Sequence, residues 1–408
     1  MGPQAFASSS RPTARRAFTT FDEFRAELGH ATYAPAAPRG RVVASATAFA
    51  QMRTYLQALY RGVDVRRSFV TDGSYFDCVT IASQPSARGR AIAPTPAPMP
   101  GASTAHSKLW TTEGTDARGA VVSCAAGTVP MQRTTLDQMA RYTSVRAFLS
   151  RGKAPRAAVD ASTYRYAHAF QLVKNFGALS TISVWNPKLP PAVGGDDHSL
   201  SQQWVTGGSG SNLQTAEAGW TKDLGFSPKK PILFVYFTAD GYNHTGCYNL
   251  TCGAFVQTDN SVGIGAPVKP CCSTPTVDDH FAQYWFLTGG RWWLNINDTY
   301  IGYFPTSVYN GGQMSKNATE VDFGGEVNAS VTSAPWPAMG SGKFAKAGVH
   351  KAAYQSGIEY ITPKGQYHAT ALTPSATSTC YTIKYTRAAG ATPSFFYYGG
   401  PGGAEGVC

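Results

Sequence analysis

From about residue 165 onward the chain is a succession of short aromatic and β-branched runs broken by Gly, Pro, Asn and Asp, and this punctuation constrains the fold more than any other feature. Such runs read as strands and the breaks as turns. They predict strands at 166–173, 180–186, 199–207, 213–221, 232–240, 253–258, 281–288, 291–296, 299–304, 319–327 and 380–386, with no long helical stretch between them. So many short strands in one region imply a mostly β fold, a sandwich or a barrel. With 43% hydrophobic and 14% charged residues, the chain has enough apolar side chains to fill a core and is not a disordered, charge-rich polymer.

The first part of the chain reads differently. Residues 1–40 are rich in Ala, Pro, Arg and Ser and are expected to be flexible. Residues 45–62 place Phe49, Met52, Leu56, Leu59 and Tyr60 at helical spacing, with Ser45 as N-cap and Gly62 as stop. A strand is predicted at 74–82, a Pro-rich linker at 87–104, and short helices at 134–142 and 144–152. These elements make a small α/β domain over 41–155, held by a Cys78–Cys124 bridge, ahead of a β domain over 160–408.

The net charge of +11 invites a nucleic-acid reading, but its distribution argues against one. Residues 1–160 carry 20 Lys and Arg against 10 Asp and Glu, whereas 161–408 carry 15 against 14. The basic excess thus belongs to the first body alone. No apolar run reaches the ~18 residues of a membrane span, and no signal segment is visible at the start. Nucleic acid and membrane are therefore not expected partners, and a monomer is expected. Eight cysteines fit no zinc spacing and read as disulfides, which points to an oxidising, extracellular setting.

Familiar catalytic motifs fail on inspection. There is no His-Glu-x-x-His, and the eight histidines are scattered singly. Residues 208–211 do not make a nucleophile elbow, and at 339–343 Pro337 and Phe344 stand where a phosphate loop needs Gly and Ser or Thr. No metal or cofactor is expected. Glutamate is informative because it is scarce, occurring after residue 160 only at 217, 320, 326, 359 and 405. By alternation Thr215, Glu217 and Gly219 share one face of a strand while Ala216, Ala218 and Trp220 take the other. Glu326 follows Gly324-Gly325 in a second such strand, where a bulge is expected to re-aim it. Two carboxyls in one cleft do not both ionise easily, so one acts as general acid while its partner activates water.

At these residues the chain resembles the neprosin family of prolyl endopeptidases. The motifs are HSLSQQW (198–204), AEAGW (216–220), YFTADGYNHTGCYNLTCGAFVQT (236–258), GGRWWL (289–294), VDFGGEV (321–327), MGSGKF (339–344) and FFYYGGPGG (395–403). DGSYFDCVTIASQPS (72–86) and CAAGTVPMQRTT (124–135) look like the family's activation domain. The resemblance implies a secreted zymogen of an acid-active glutamic peptidase, cutting on the carboxyl side of proline. It further implies an antiparallel β-sandwich catalytic domain of two stacked sheets, preceded by a small α/β activation (pro) domain that acts as inhibitor. The catalytic glutamates carry over to Glu217 and Glu326, and the family disulfides to Cys247–Cys252 and Cys380–Cys408. Gln202, Trp204, Tyr236, Thr238 and Tyr242 match its cleft strands, while Trp292 and Trp293 are further candidates for apolar walls around proline. Phe323 departs from the Trp usual in plant members, and Cys271 and Cys272 match nothing. On chemistry alone, a glycoside hydrolase or a module that merely binds a Pro-rich peptide or glycan also fits paired glutamates among aromatics.

Overall fold

Alternation decides which way each strand presents its side chains, and the computed structural model obeys it across the described residues 18–34, 42–98, 110–151, 163–190, 197–270, 280–329, 335–389, 393–404 and 408. Along Gln214–Asp223, Trp220 turns inward to donate its indole N–H to the Ser183 carbonyl of a facing sheet, whereas Thr215 and Glu217 turn outward together. Strands of this kind assemble into two stacked antiparallel sheets, a β-sandwich. The first has seven strands, in the spatial order Cys247–Tyr248, Ser227–Thr238, Gln214–Asp223, His198–Gly207, Ala318–Asn328, Tyr164–Asn175 and Thr373–Ala376. The second has nine. It begins at the edge strand Val256–Gln257 and continues through Thr299–Pro305, Arg291–Ile296, His280–Thr288, Gly177–Ser183, Ala353–Thr362, Ser394–Gly399 and Thr382–Thr386, with Gly365–His368 beside Ala353–Thr362.

Trp220, Trp285, Trp292, Phe304 and Phe396 are fully buried. Each large apolar side chain removed from water stabilises the fold by ~1.5–3 kcal/mol before entropy is counted. Polar side chains tie the layers as well. Gln283 Nε2 donates to the Ala218 carbonyl at 2.9 Å and Gln355 Nε2 to the Gln202 carbonyl at 3.0 Å, so the main chain beneath the outward face is held from below.

Ahead of the sandwich, a five-stranded sheet runs Val121–Ser123, Glu113–Thr115, Val65–Thr71, Ser74–Thr80, Thr128–Gln132. The helix Ala46–Leu59 is N-capped by Ser45 as its spacing predicts. Arg133 and Asp77 form a buried ion pair, Nε to Oδ2 at 2.9 Å, with the guanidinium lying over Tyr75. Disulfides join Cys78 to Cys124, Cys247 to Cys252 and Cys380 to Cys408. Contacts to the sandwich are specific: Tyr55 donates to the Thr251 carbonyl at 2.7 Å, and the Gln84 carboxamide both donates to and accepts from the Gln257 main chain, at 2.8 and 3.0 Å.

Several expectations need correction. Flexibility across 1–40 does not hold for Phe21–His30, a helix with a Thr20–Glu23 capping box whose Phe21 and Phe24 rings meet Tyr60. Cys271 and Cys272, residues 1–17 and the junction 152–162 lie outside the described residues. The strand at 253–258 narrows to Val256–Gln257. No bulge forms at Gly324-Gly325, where pairing to both neighbours runs without a shift. The glycines serve close approach instead: a Cβ on Gly324 would lie 2.5 Å from the Ala167 carbonyl oxygen.

Candidate active site

The strand His198–Gly207 lies between those of Glu217 and Glu326, and all ten of its residues are buried. Glu217 pairs in register with Trp204, and Glu326 with Leu200, so the two glutamates approach diagonally across Gln202. Gln202 itself stands opposite Gly219 on one side and Gly324 on the other. With no side chain on either glycine, nothing rises from those strands at the level of Gln202. Both glutamate side chains are about 1% exposed, and they line one small cavity with His198, Leu200, Gln202, Tyr236 and Tyr248. Its volume is about 20 Å³, room for roughly one water-sized molecule.

Glu217 Oε1 accepts from the Thr215 hydroxyl at 2.7 Å and from the Tyr242 hydroxyl at 2.8 Å. The Gln202 amide satisfies both neighbours when its nitrogen donates to Glu217 Oε2 at 3.3 Å and its oxygen accepts from Trp204 Nε1 at 2.7 Å. Burial and the adjacent Glu217 charge push the Tyr242 phenol well above its ordinary value, so it stays a donor. Tyr242 reaches Glu217 from a left-handed backbone conformation, φ 66°, unusual for a bulky residue. The loop that imposes it is organised by Asp240, whose carboxylate accepts from the main-chain N–H groups of Asn243, His244 and Thr245. Thr238 lies behind the cleft in the same web, where its Oγ1 accepts from the Tyr242 N–H at 2.9 Å.

Glu326 has a different partner. His198 Nε2 lies 3.0 Å from Glu326 Oε1, with His198 3% and Glu326 1% exposed at the side chain. Further along the same strand, Asp322 holds His168 Nδ1 at 2.8 Å beside Trp204. Burial opposes charge on His168, but the Asp322 carboxylate outweighs it and raises the imidazole pKa.

The chain before the sandwich enters this cleft. Tyr236 donates its hydroxyl to the Leu149 carbonyl at 3.2 Å, and Tyr164 donates to the Arg151 carbonyl at 2.7 Å. Arg151 lines the same cavity as the glutamates. Its guanidinium lies 3.4 Å from Asp223 Oδ2 and 4.2 Å from the Tyr248 ring centroid.

Of the residues expected at the site, Glu217, Glu326, Gln202, Trp204, Tyr236 and Tyr242 converge, and Thr238 supports them. Trp292 and Trp293 do not join them. Both belong to the second sheet: Trp292 donates to the Met314 carbonyl within the core, and Trp293 packs on Tyr300 and Tyr303 in a separate cluster. His198, Asp322, His168 and Arg151 went unseen in the sequence. Alternation held the signal for two of them, since 198 shares parity with 202 and 204, and 322 with 326.

The family model described as Neprosin matches residues 195–401, just over half of the 408. Among solved structures, the chain is similar to a scytalido-glutamic peptidase with a peptide-based transition-state analogue, at 9% identity and TM-score 0.33, covering 57% of this chain and 98% of that one. It is also similar to an Eqolisin-family peptidase in complex with the tripeptide Ala-Ile-His, at 8% identity and TM-score 0.31, covering 57% and 96%. A homodimeric agglutinin from chicken liver matches at 7% identity and TM-score 0.22, covering 40% and 92%. On the family match, with every cleft residue from Gln202 to Glu326 inside it, the chain belongs to the neprosin family.

Proposed function

We propose that the protein is the secreted zymogen of an acid-active glutamic endopeptidase that hydrolyses the bond on the carboxyl side of proline, with residues 41–155 as its pro domain and 160–408 as its catalytic domain. Family membership and the glutamate pair support a peptidase. The observation that carries the reading is the meeting of Glu217 and Glu326 over Gln202 in one cavity the size of a water. One carboxylate takes a proton from water as its oxygen bonds to the scissile carbonyl carbon. The protonated partner gives its proton to the amide nitrogen as the C–N bond breaks. The Gln202 amide, with a second N–H beyond the one given to Glu217, is a neutral donor suited to the charge that develops on the carbonyl oxygen, while the Tyr242 hydroxyl holds Glu217 in place.

Latency is supported by Leu149 and Arg151, whose carbonyls occupy the Tyr236 and Tyr164 hydroxyls at the cleft. Three disulfides among the described residues fit an oxidising compartment. Acid activity follows from a pair that shares about one proton and loses its acid member when both ionise. The test is to hold the full chain at pH ~4–5, add a proline-containing peptide, and map the new termini by mass spectrometry. New termini after proline are expected. Cleavage confined to other residues removes proline specificity, and undiminished rates in both Glu217→Gln and Glu326→Gln remove the glutamate mechanism, for which ~10²–10⁴-fold losses are expected.

A further inference from the structure

We propose that the pocket filled by Arg151 is a substrate subsite that takes an arginine or lysine side chain of the peptide being cut. The proposal rests on the peptidase reading above and adds a second recognition element to proline.

The pocket is built around Asp223, which has no exposed surface. Asp223 Oδ1 accepts from the main-chain N–H groups of Gly225 at 2.7 Å and Phe226 at 2.6 Å. Oδ2 faces the Tyr248 hydroxyl at 3.5 Å and Arg151 Nη2 at 3.4 Å. The Tyr248 ring, 4.2 Å from the Arg151 guanidinium carbon, and the Phe226 ring, 5.7 Å away, form flat walls. A buried carboxylate at the end of an aromatic slot has the chemistry for a long cationic side chain, since the rings hold the stem and stack on the cation while the carboxylate pairs with its charge.

Position makes this a subsite and not a remote lock. Asp223 pairs in register with His198, the residue held against Glu326, and the cavity that Arg151 enters is the one that Glu217 and Glu326 line. The occupant's main chain is held by groups that ignore side-chain identity: the Tyr236 and Tyr164 hydroxyls donate to the Leu149 and Arg151 carbonyls. Gly246 leaves room for that path, because a Cβ there would lie 2.9 Å from the Leu149 oxygen. Any extended peptide can accept the two tyrosine bonds, whereas the Asp223 slot selects by charge. Once Arg151 withdraws, Asp223 is a buried carboxylate without its cation, a state that a basic substrate side chain relieves and a neutral one does not.

The experiment uses the full chain after acid incubation and a set of peptides with one proline. Arg, Lys, Gln or norleucine is moved through each position on either side of it, and kcat/KM is read for each peptide. At one position Arg and Lys should exceed norleucine and Gln by about tenfold or more. That ratio should fall towards one in Asp223→Asn, and in Tyr248→Leu, which leaves the Asp223 turn intact if the first variant does not fold. Cleavage after proline with a flat ratio at every position overturns the subsite while leaving the peptidase standing. Absence of cleavage in every peptide overturns both.

Discussion

His198 Nε2 and Glu326 Oε1 are 3.0 Å apart, with both side chains almost fully buried. An imidazole so placed fixes the carboxylate's rotamer, and its loss leaves a buried carboxylate short of one partner. His198→Ala is expected to lower kcat by ~10–100-fold with little change in KM. His198→Gln, whose amide reaches a similar point, is expected to recover part of the loss. Equal losses in both variants would show that an amide donor at this point does not substitute for the imidazole, and would overturn the hydrogen-bond account.

Tyr242→Phe keeps the ring, which stacks 6.0 Å from that of Tyr236, and removes only the hydroxyl that donates to Glu217. Loss of one such donor from a preorganised site is expected to reduce kcat ~10²-fold. Steady-state kinetics alongside circular dichroism separates this from misfolding: an unchanged rate with unchanged structure excludes a role for the phenol.

Asp240 sets the stability of the loop that aims Tyr242. Burial pushes its carboxyl up, but hydrogen bonds from Thr245, His244 and Thr238 outweigh burial and hold it below 3.8. A depressed folded pKa contributes stability that is present above the unfolded value and lost as pH falls through the folded one. The loop should therefore stay organised at pH 4–5. In thermal melts, the Tm deficit of Asp240→Asn should be constant from pH 7 to about 4.5 and shrink below ~3.8. A deficit that grows on acidification contradicts this.

The His168–Asp322 pair has the opposite sign. Burial lowers the His168 pKa, yet Asp322, with smaller contributions from Glu320 and Glu326, raises it overall. Its contribution is complete below the ordinary histidine value of ~6.5 and disappears as pH rises through the higher folded value. The Tm gap between the native chain and His168→Gln should thus be wide at pH 5 and narrow at pH 9, and a gap independent of pH would falsify the ion-pair account.

What the sequence reveals tracks how local the physics is. Glu217 is legible because unbroken pairing keeps Thr215 and Glu217 on one face and Ala216, Ala218 and Trp220 on the other, and because glutamate is rare in this part of the chain. The strand Ala353–Thr362 escapes notice for the converse reason: its pairing with Ser394–Gly399 shifts between Ser356 and Ile358, so its buried residues run Ala353, Gln355, Ile358, Ile361 and no single period joins them. Trp292 and Trp293 are adjacent and so point to opposite faces, but which sheet receives their strand depends on long-range pairing that composition does not encode. Arg151 reads as one more basic residue at the end of the helix predicted over 144–152 until the fold brings Asp223 and Tyr248 around it.

The Gln84 carboxamide matches the Gln257 main chain donor to acceptor and acceptor to donor, as one more rung on a ladder. Val256–Gln257 is an outermost strand of the nine-stranded sheet, so the N-terminal region is its side guard as well as the occupant of the cleft. On the zymogen proposal, departure of that guard would leave a raw backbone margin open to pairing with another chain. On that proposal, unmasking the catalytic machinery and unmasking an adhesive border would be one event, and tolerance of the processed form to crowding would depend on how short that border is.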